Sequence, residues 1–207
     1  ALLELQRAID LAPGVSDYPI ILFNLVRSSA LGDDDLANRR ASLELGREAL
    51  IKYSERDPFD IATQQVLALS TVNLFAEGRE DLREEVIGRY INLGQSVPNF
   101  YDFQSAVAQG FLIAGDNELA LGAANYSISL EQGKTYSWWV RGVALNNLGE
   151  HTESMAAFER AIAIRPEDRH SALAHRDYGD LLDSQGRLDE AGEHRFRQTE
   201  IETQLKR

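Results

Sequence analysis

Three histidines and the acidic residues around them are the side chains of this sequence most suited to chemistry. His170, His175 and His194 lie in one C-terminal stretch among aspartates and glutamates, and imidazole beside carboxylate is the donor set of many zinc sites and of general acid–base catalysis. Helical spacing weakens a metal reading, because His175 falls in one predicted helix and His194 in the next, on faces expected to point different ways. The triplet His175, Arg176, Asp177 has the order of a kinase catalytic loop, but Leu182 stands where that loop needs asparagine. No glycine-rich phosphate loop, strand lysine, HExxH zinc motif or G-x-S-x-G elbow accompanies it. Asp33, Asp34 and Asp35 lack the spaced ligands, glycine and closing glutamate of a calcium loop. They are read instead as carboxylates capping a helix N-terminus. With no cysteine in the chain, disulfides, thiolate catalysis and cysteine metal sites are excluded. The chain is therefore expected to be no enzyme, with no catalytic residue, metal or cofactor.

Composition narrows the partners. A formal net charge of -12, from 33 acidic against 21 basic side chains, argues against nucleic acid, whose phosphates need a basic surface. It favours solubility and a basic partner. No apolar run approaches the ~18 to 20 residues that span a bilayer, so this segment is not expected to be membrane-embedded. Residue 1 is Ala and the sole methionine is Met155, which suggests a processed product or a piece of a longer protein.

The elements that must position any site are organised around residues 135–168. In a unit of 34 residues beginning at Thr135, Trp138, Gly142, Leu145 and Gly149 occupy places 4, 8, 11 and 15. Ser154, Phe158, Ala161 and Pro166 occupy places 20, 24, 27 and 32. The small residues at 8 and 20 let two helices approach closely while large ones fill the space beside the contact. Gly149 permits the tight turn between them, and Pro166 ends the second helix. This pattern resembles a tetratricopeptide repeat (TPR). Only Arg141, at a place usually held by Leu, departs clearly from it.

The period extends in both directions. Residues 1–15 read as the second helix of a truncated repeat, with Leu2, Leu3 and Leu5 lacking their packing partner and Pro13 closing the helix. Residues 16–60, counted from Ser16, and 61–100 read as degenerate repeats longer than one period, the first with an insertion placed around Gly32 to Asn38. Residues 101–134 and 135–168 are regular. Small Ala124 and Ser127, and Gln132 in place of the closing proline, make the joint between them the one expected to be loosest. After three extra residues, 172–205 forms the last repeat, its polar Arg195 and Gln198 marking it as a cap. No alternating β pattern appears. The expected fold is all-α, a right-handed TPR superhelix of about eleven helices and a single solenoid over 1–207.

The resemblance implies a concave groove lined by places 2, 5, 9, 12 and 13 of the first helices. Those places point to Gln109, Leu112, Tyr136, Trp139, Val143, Asn146, Arg176 and Asp180 as residues that hold a peptide or protein segment. Trp138 is expected to fill the packing place, and Trp139, turned about 100° from it, either anchors a partner in the groove or packs against Leu112 or the following repeat. TPR clamps for chaperone tails use Lys and Asn at places 5 and 9. Here those places hold Trp139 and Val143 in one unit and Ser105 and Gln109 in another, so that use is disfavoured. Arg176 alone could meet a carboxylate, but Asp177 and Asp180 beside it are expected to occupy it. More widely, LAPGVSDYPIILFNL, the long second unit, ERDPFD and three regular repeats resemble the soluble TPR tail of bacterial O-antigen ligase and polymerase-like membrane proteins. That resemblance implies attachment to an inner-membrane protein and carries no catalytic residue over. The competing readings are a structural or oligomerising solenoid and, last, a metal-dependent enzyme.

Overall fold

The computed structural model describes residues 2–12, 15 and 17–206, with the side chains of residues 2, 3, 5, 6 and 31 left aside. The expected packing of Leu2, Leu3 and Leu5, and the frame set by Pro13 and Ser16, fall outside what is described. Among the described residues the chain is all-α: α1 (Leu2–Leu11), α2 (Asp17–Leu31), α3 (Leu36–Ser54), α4 (Ile61–Ala76), α5 (Arg83–Ser96), α6 (Tyr101–Ile113), α7 (Asn117–Leu130), α8 (Thr135–Asn147), α9 (His151–Ile164), α10 (Arg169–Ser184) and α11 (Leu188–Leu205). A 3-10 turn, Glu80–Leu82, leads into α5. These form two compact units, Ala1–Ser96 and Val97–Arg207.

The helix ends follow from local chemistry. Asp35, Asp60, Asp116 and Asp168 cap α3, α4, α7 and α10, each carboxylate accepting a backbone N–H of the first turn. For the aspartate cluster this is direct: Asp35 Oδ1 accepts from the Ala37 amide at 2.8 Å. At the other end, α4, α6, α8 and α10 stop at glycines with φ of +89°, +75°, +83° and +77°, Gly78, Gly115, Gly149 and Gly186. After each, an amide reaches back to the helix's last turn, as Glu150 N does to Leu145 O at 2.9 Å. This left-handed C-terminal cap needs glycine because a Cβ would meet the following carbonyl.

In the first unit α1 packs on α2, α2 on α3, α3 on α4 and α4 on α5. Phe23, Leu50, Leu67 and Leu74 form its core. Gly46 lets α3 approach α2 closely, since a Cβ there would lie 2.8 Å from Val26 Cγ2 and 3.0 Å from Phe23 Cα. The expected insertion around Gly32 to Asn38 is not a loop. The connection is four residues, and the extra length lies partly in α3, which has 19 residues against 14 in α7 and α9. Capping by Asp35 starts that helix inside the stretch read as inserted.

In the second unit α6/α7, α8/α9 and α10/α11 are antiparallel pairs, and α6, α8 and α10 also contact one another in sequence. Phe158 is fully buried against Gly142, and the Ser154 hydroxyl donates to the Gly142 carbonyl at 2.8 Å. The ring also stacks on Tyr178 of the next pair, with centroids 5.9 Å apart. The joint expected to be loosest is tight: Ala124 and Ser127 are fully buried, and Ser127 and Ser137 share a hydrogen bond of 2.8 Å. Small side chains draw the helices together there, and the hydroxyls satisfy each other. The last pair begins at Arg169, not Ala172, because Asp168 caps it there by accepting from the His170 amide at 2.8 Å.

Candidate functional site

The site read from the sequence lies on the face shared by α6, α8 and α10. Gln109 and Leu112 are half-buried on α6, Tyr136, Val143 and Asn146 are half-buried on α8, and Arg176 and Asp180 are exposed on α10. Trp139 sits among them but is only 8% exposed. Its indole Nε1 donates to Asp177 Oδ2 at 2.7 Å, bridging α8 to α10, and Arg176 Nε donates to Asp177 Oδ1 at 2.7 Å. Tyr136 packs beside it, 5.5 Å from Trp139 and 4.8 Å from the His170 ring. Leu112, Tyr136 and Val143 rest on the same apolar cluster as Trp139.

Trp139 packs against the following repeat, one of the two roles expected of it, while Trp138, expected to fill the packing place, is the less buried of the two. Trp139 is the more buried, because the 100° turn from Trp138 aims it at the seam with α10 rather than into solvent. Trp138 is half-buried, its Nε1 donating to the Gln132 carbonyl at 2.9 Å. Arg141, the departure from the repeat pattern, lies 5.5 Å over the Trp138 ring, where the cation meets the negative face of the indole.

Two arginines at this face are held in ion pairs. The bond to Asp177 holds the Arg176 guanidinium above its ordinary pKa. Asp180 adds to this through its charge but makes no ion pair with Arg176. Instead Arg195, reaching from α11, pairs with Asp183 and lies 3.5 Å from Asp180. A Cβ on Gly179 would lie 3.4 Å from the Ala191 carbonyl, 3.5 Å from His194 Cβ and 3.7 Å from Arg195 Cγ, so the Arg195 stem packs near that glycine while its head stays in water. Asn147 donates to Asn117 at 3.0 Å, and Asn146 lies 3.1 Å from His151 Nδ1.

The histidines expected to diverge come together. His175 Nδ1 and His194 Nδ1 are 2.8 Å apart across the α10/α11 pair. Taking each helix alone missed this, since place 4 of a first helix faces its own second helix in an antiparallel pair. Such a contact between neutral rings requires one Nδ1–H donor and one bare acceptor. Burial, then the neighbouring His194 and Arg197, push His175 down to about 4, and burial lowers His194. Both rings are therefore neutral at pH 7. The His194 ring lies 4.3 Å from Tyr178, whose hydroxyl donates to Glu159 at 3.0 Å. Burial and that bond push the Tyr178 phenol up to about 12. The pair opens onto a cavity of about 670 Å³ lined by Glu193, Phe196, Arg197 and Glu200. Among the described residues no group of three histidine, aspartate or glutamate side chains converges to hold a metal, and no helix is long and apolar enough to cross a membrane.

Antiparallel helix pairs, a left-handed glycine at each tight turn of the second unit and first helices ranged along one face define a helix-pair solenoid, a class of protein-binding scaffold. A family model described as a tetratricopeptide repeat matches residues 135–168, while no curated protein sequence matches the chain. Solved structures with similar folds include MamA from Desulfovibrio magneticus RS-1, at 16% identity over 87% of this chain and 95% of that one, TM-score 0.63. YrrB, described as a TPR protein with an unusual peptide-binding site, aligns at 16% identity over 97% of this chain and 93% of its own, TM-score 0.60. The thermophilic TPR protein TTC0263 of Thermus thermophilus aligns at 18% identity over 90% and 91%, TM-score 0.66. Residues 135–168 form a tetratricopeptide repeat, and the chain has the fold of tetratricopeptide repeat proteins.

Proposed function

We propose that the chain is a non-catalytic protein-interaction module that binds a peptide or protein segment on the face of α6, α8 and α10. The observation that carries the reading is the Trp139–Asp177 bridge at 2.7 Å. It fixes α8 against α10, so the half-buried apolar and amide side chains beside it form a preorganised surface, which lowers the ordering cost of binding. The TPR fold supports the reading, as does the peptide-binding site named for YrrB. The wider resemblance to the soluble tail of an O-antigen ligase or polymerase belongs to the proposal only in that such a tail would present this same face. The test places a photo-crosslinking residue at Val143 and, as control, at exposed Glu153 on α9. Partner adducts are expected from position 143 and not from 153. Equal capture at both positions, or none at 143 in a folded variant, sinks the assignment.

The burial of Trp139 also favours a second reading, in which the chain is a structural or self-assembling solenoid and this face is only packing. Light scattering separates the two. A mass that rises with concentration supports self-assembly, whereas a monomer at high concentration together with crosslinks at 143 supports the groove.

A further inference from the structure

The histidine contact between α10 and α11 has room for one proton and no more. His175 Nδ1 and His194 Nδ1 stand 2.8 Å apart, so a single hydrogen fills the space between them, donated by one ring to the bare nitrogen of the other. A second hydrogen placed there would set two N–H groups point to point. The helix that carries His194 is lightly held: among its described side chains only Ala191 and Ile201 are buried. Arg195 fastens it to Asp183 through an exposed ion pair, a kind of contact that contributes little in water.

Titrating groups face the pair from α9, α10 and α11. α9 supplies Glu159, which accepts from the Tyr178 hydroxyl of α10 at 3.0 Å, and Glu167 of the turn after α9 lines a second cavity beside His175. α11 supplies Glu190, Glu193, Arg197 and Glu200, the last two paired at 2.7 Å. For His194, burial opposes protonation while Glu193, Glu159 and Glu190 favour it. For His175, burial, His194 and Arg197 all oppose it. The first proton therefore settles on His194, whose Nδ1–H then points at the bare Nδ1 of His175, and the bond survives. The second must enter at His175, and the bond cannot survive that.

We propose that this pair is an acid-sensitive latch: double protonation drives the rings apart and releases α11 from α10 while α6 to α9 stay folded. Release uncovers Tyr178 and Gly179 of α10, on which His194 and Ala191 rest. Docking of α11 holds both rings below their ordinary pKa, so the docked form is fully favoured above pH 6.5 and loses ground as pH falls toward 4. The α8/α9 contact does not share this weakness, because Gly142, Ser154 and Phe158 make it without a titrating group. The latch acts whether or not a segment is held on α6, α8 and α10.

Hydrogen exchange of the full chain at pH 7 and pH 5 tests it, read as the protection of α11 amides relative to those of α8 and α9, a ratio that removes the intrinsic pH dependence of exchange. The relative protection of α11 is expected to fall about tenfold, allowing for solvent at the cavity mouth. His175→Gln and His194→Gln keep a hydrogen-bonding side chain without a titrating ring, and in each the fall should shrink to about threefold or less. Relative protection that is unchanged in the parent overturns the latch, as does a loss spread equally over α8 and α9. So does a fall that persists undiminished in a Gln variant that melts with the parent at pH 7. If both variants already lack α11 protection at pH 7, the parent's imidazole resonances decide: His175 must titrate together with the loss of α11 protection, and titration without that loss overturns the proposal.

Discussion

Replacing Gly142 by alanine tests the contact on which the α8/α9 pair closes. A Cβ at that position would stand 2.5 Å from Phe158 Cε1 and 2.6 Å from Cδ1, well inside van der Waals contact. The ring has nowhere to go, because Phe158 is 0% exposed and stacked on Tyr178 5.9 Å away. Alanine would gain about 1 kcal/mol of helix propensity over glycine. Against this, overpacking a well-filled site costs about 1–3 kcal/mol, and here the obstacle is a ring held on both faces, at the upper end of that range. The net is a loss of about 1–2 kcal/mol, or roughly 4–10 °C in melting temperature for a unit of this size. Thermal unfolding followed by circular dichroism measures it, with Gly122→Ala as control. Gly122 is exposed in α7 with nothing within 4 Å of its added Cβ, so that variant should be neutral or slightly more stable. Gly142→Ala combined with Phe158→Leu should lose less than the two single changes added, by about 1 kcal/mol. A Gly142→Ala protein that melts at or above the parent would refute the close-contact account.

Further tests probe the other elements. Burial lowers His175 to about 4 from an ordinary 6.5, so the unfolded chain binds the proton first: the stability it contributes is complete above pH 6.5 and is lost as pH falls toward 4. Allowing for solvent at the cavity mouth, about 1–2 kcal/mol should go in that window, and urea midpoints measured across it should flatten in His175→Phe. Trp139→Phe removes the indole donor to Asp177 and should cost about 1–3 kcal/mol in urea unfolding, with Trp138→Phe costing less because that ring is half-buried. Gly186→Ala forces a side chain into a φ of +77° and should lower stability by about 1–2 kcal/mol, read by the same melts.

How far the sequence reveals these features depends on whether they are local. Helix boundaries such as Leu36–Ser54 and the starts at Ile61, Tyr101 and Thr135 follow from caps and period alone, because helix ends are decided by residues a few positions away. The pairing of Gly142 with Phe158 is legible for the same reason, since place 8 and place 24 meet within one antiparallel pair. What escapes is contact between elements. The His175–His194 approach needs the rotation of α11 on α10, which periodicity does not supply, and the choice between the two roles expected of Trp139 needs the seam between α8 and α10. Arg141 looks like a defect in the repeat until Trp138 is seen beneath it. The tightness at Ser127 likewise comes from a hydroxyl partner on the next helix, where counting volumes alone suggests a gap.

The glycine turn that recurs after α6, α8 and α10 has a kinetic consequence. Each turn joins helices that are neighbours along the chain, so closing a pair sacrifices little loop entropy, and the contacts it creates have short sequence separation, the property that goes with fast folding. Stacking one pair on the next then adds only nearest-neighbour terms. The second unit should therefore assemble as a zipper, in which any pair can serve as the nucleus and growth proceeds from its edges. Hydrogen exchange would show this as protection that fades outward from α8/α9, where Phe158 joins its own pair to the next.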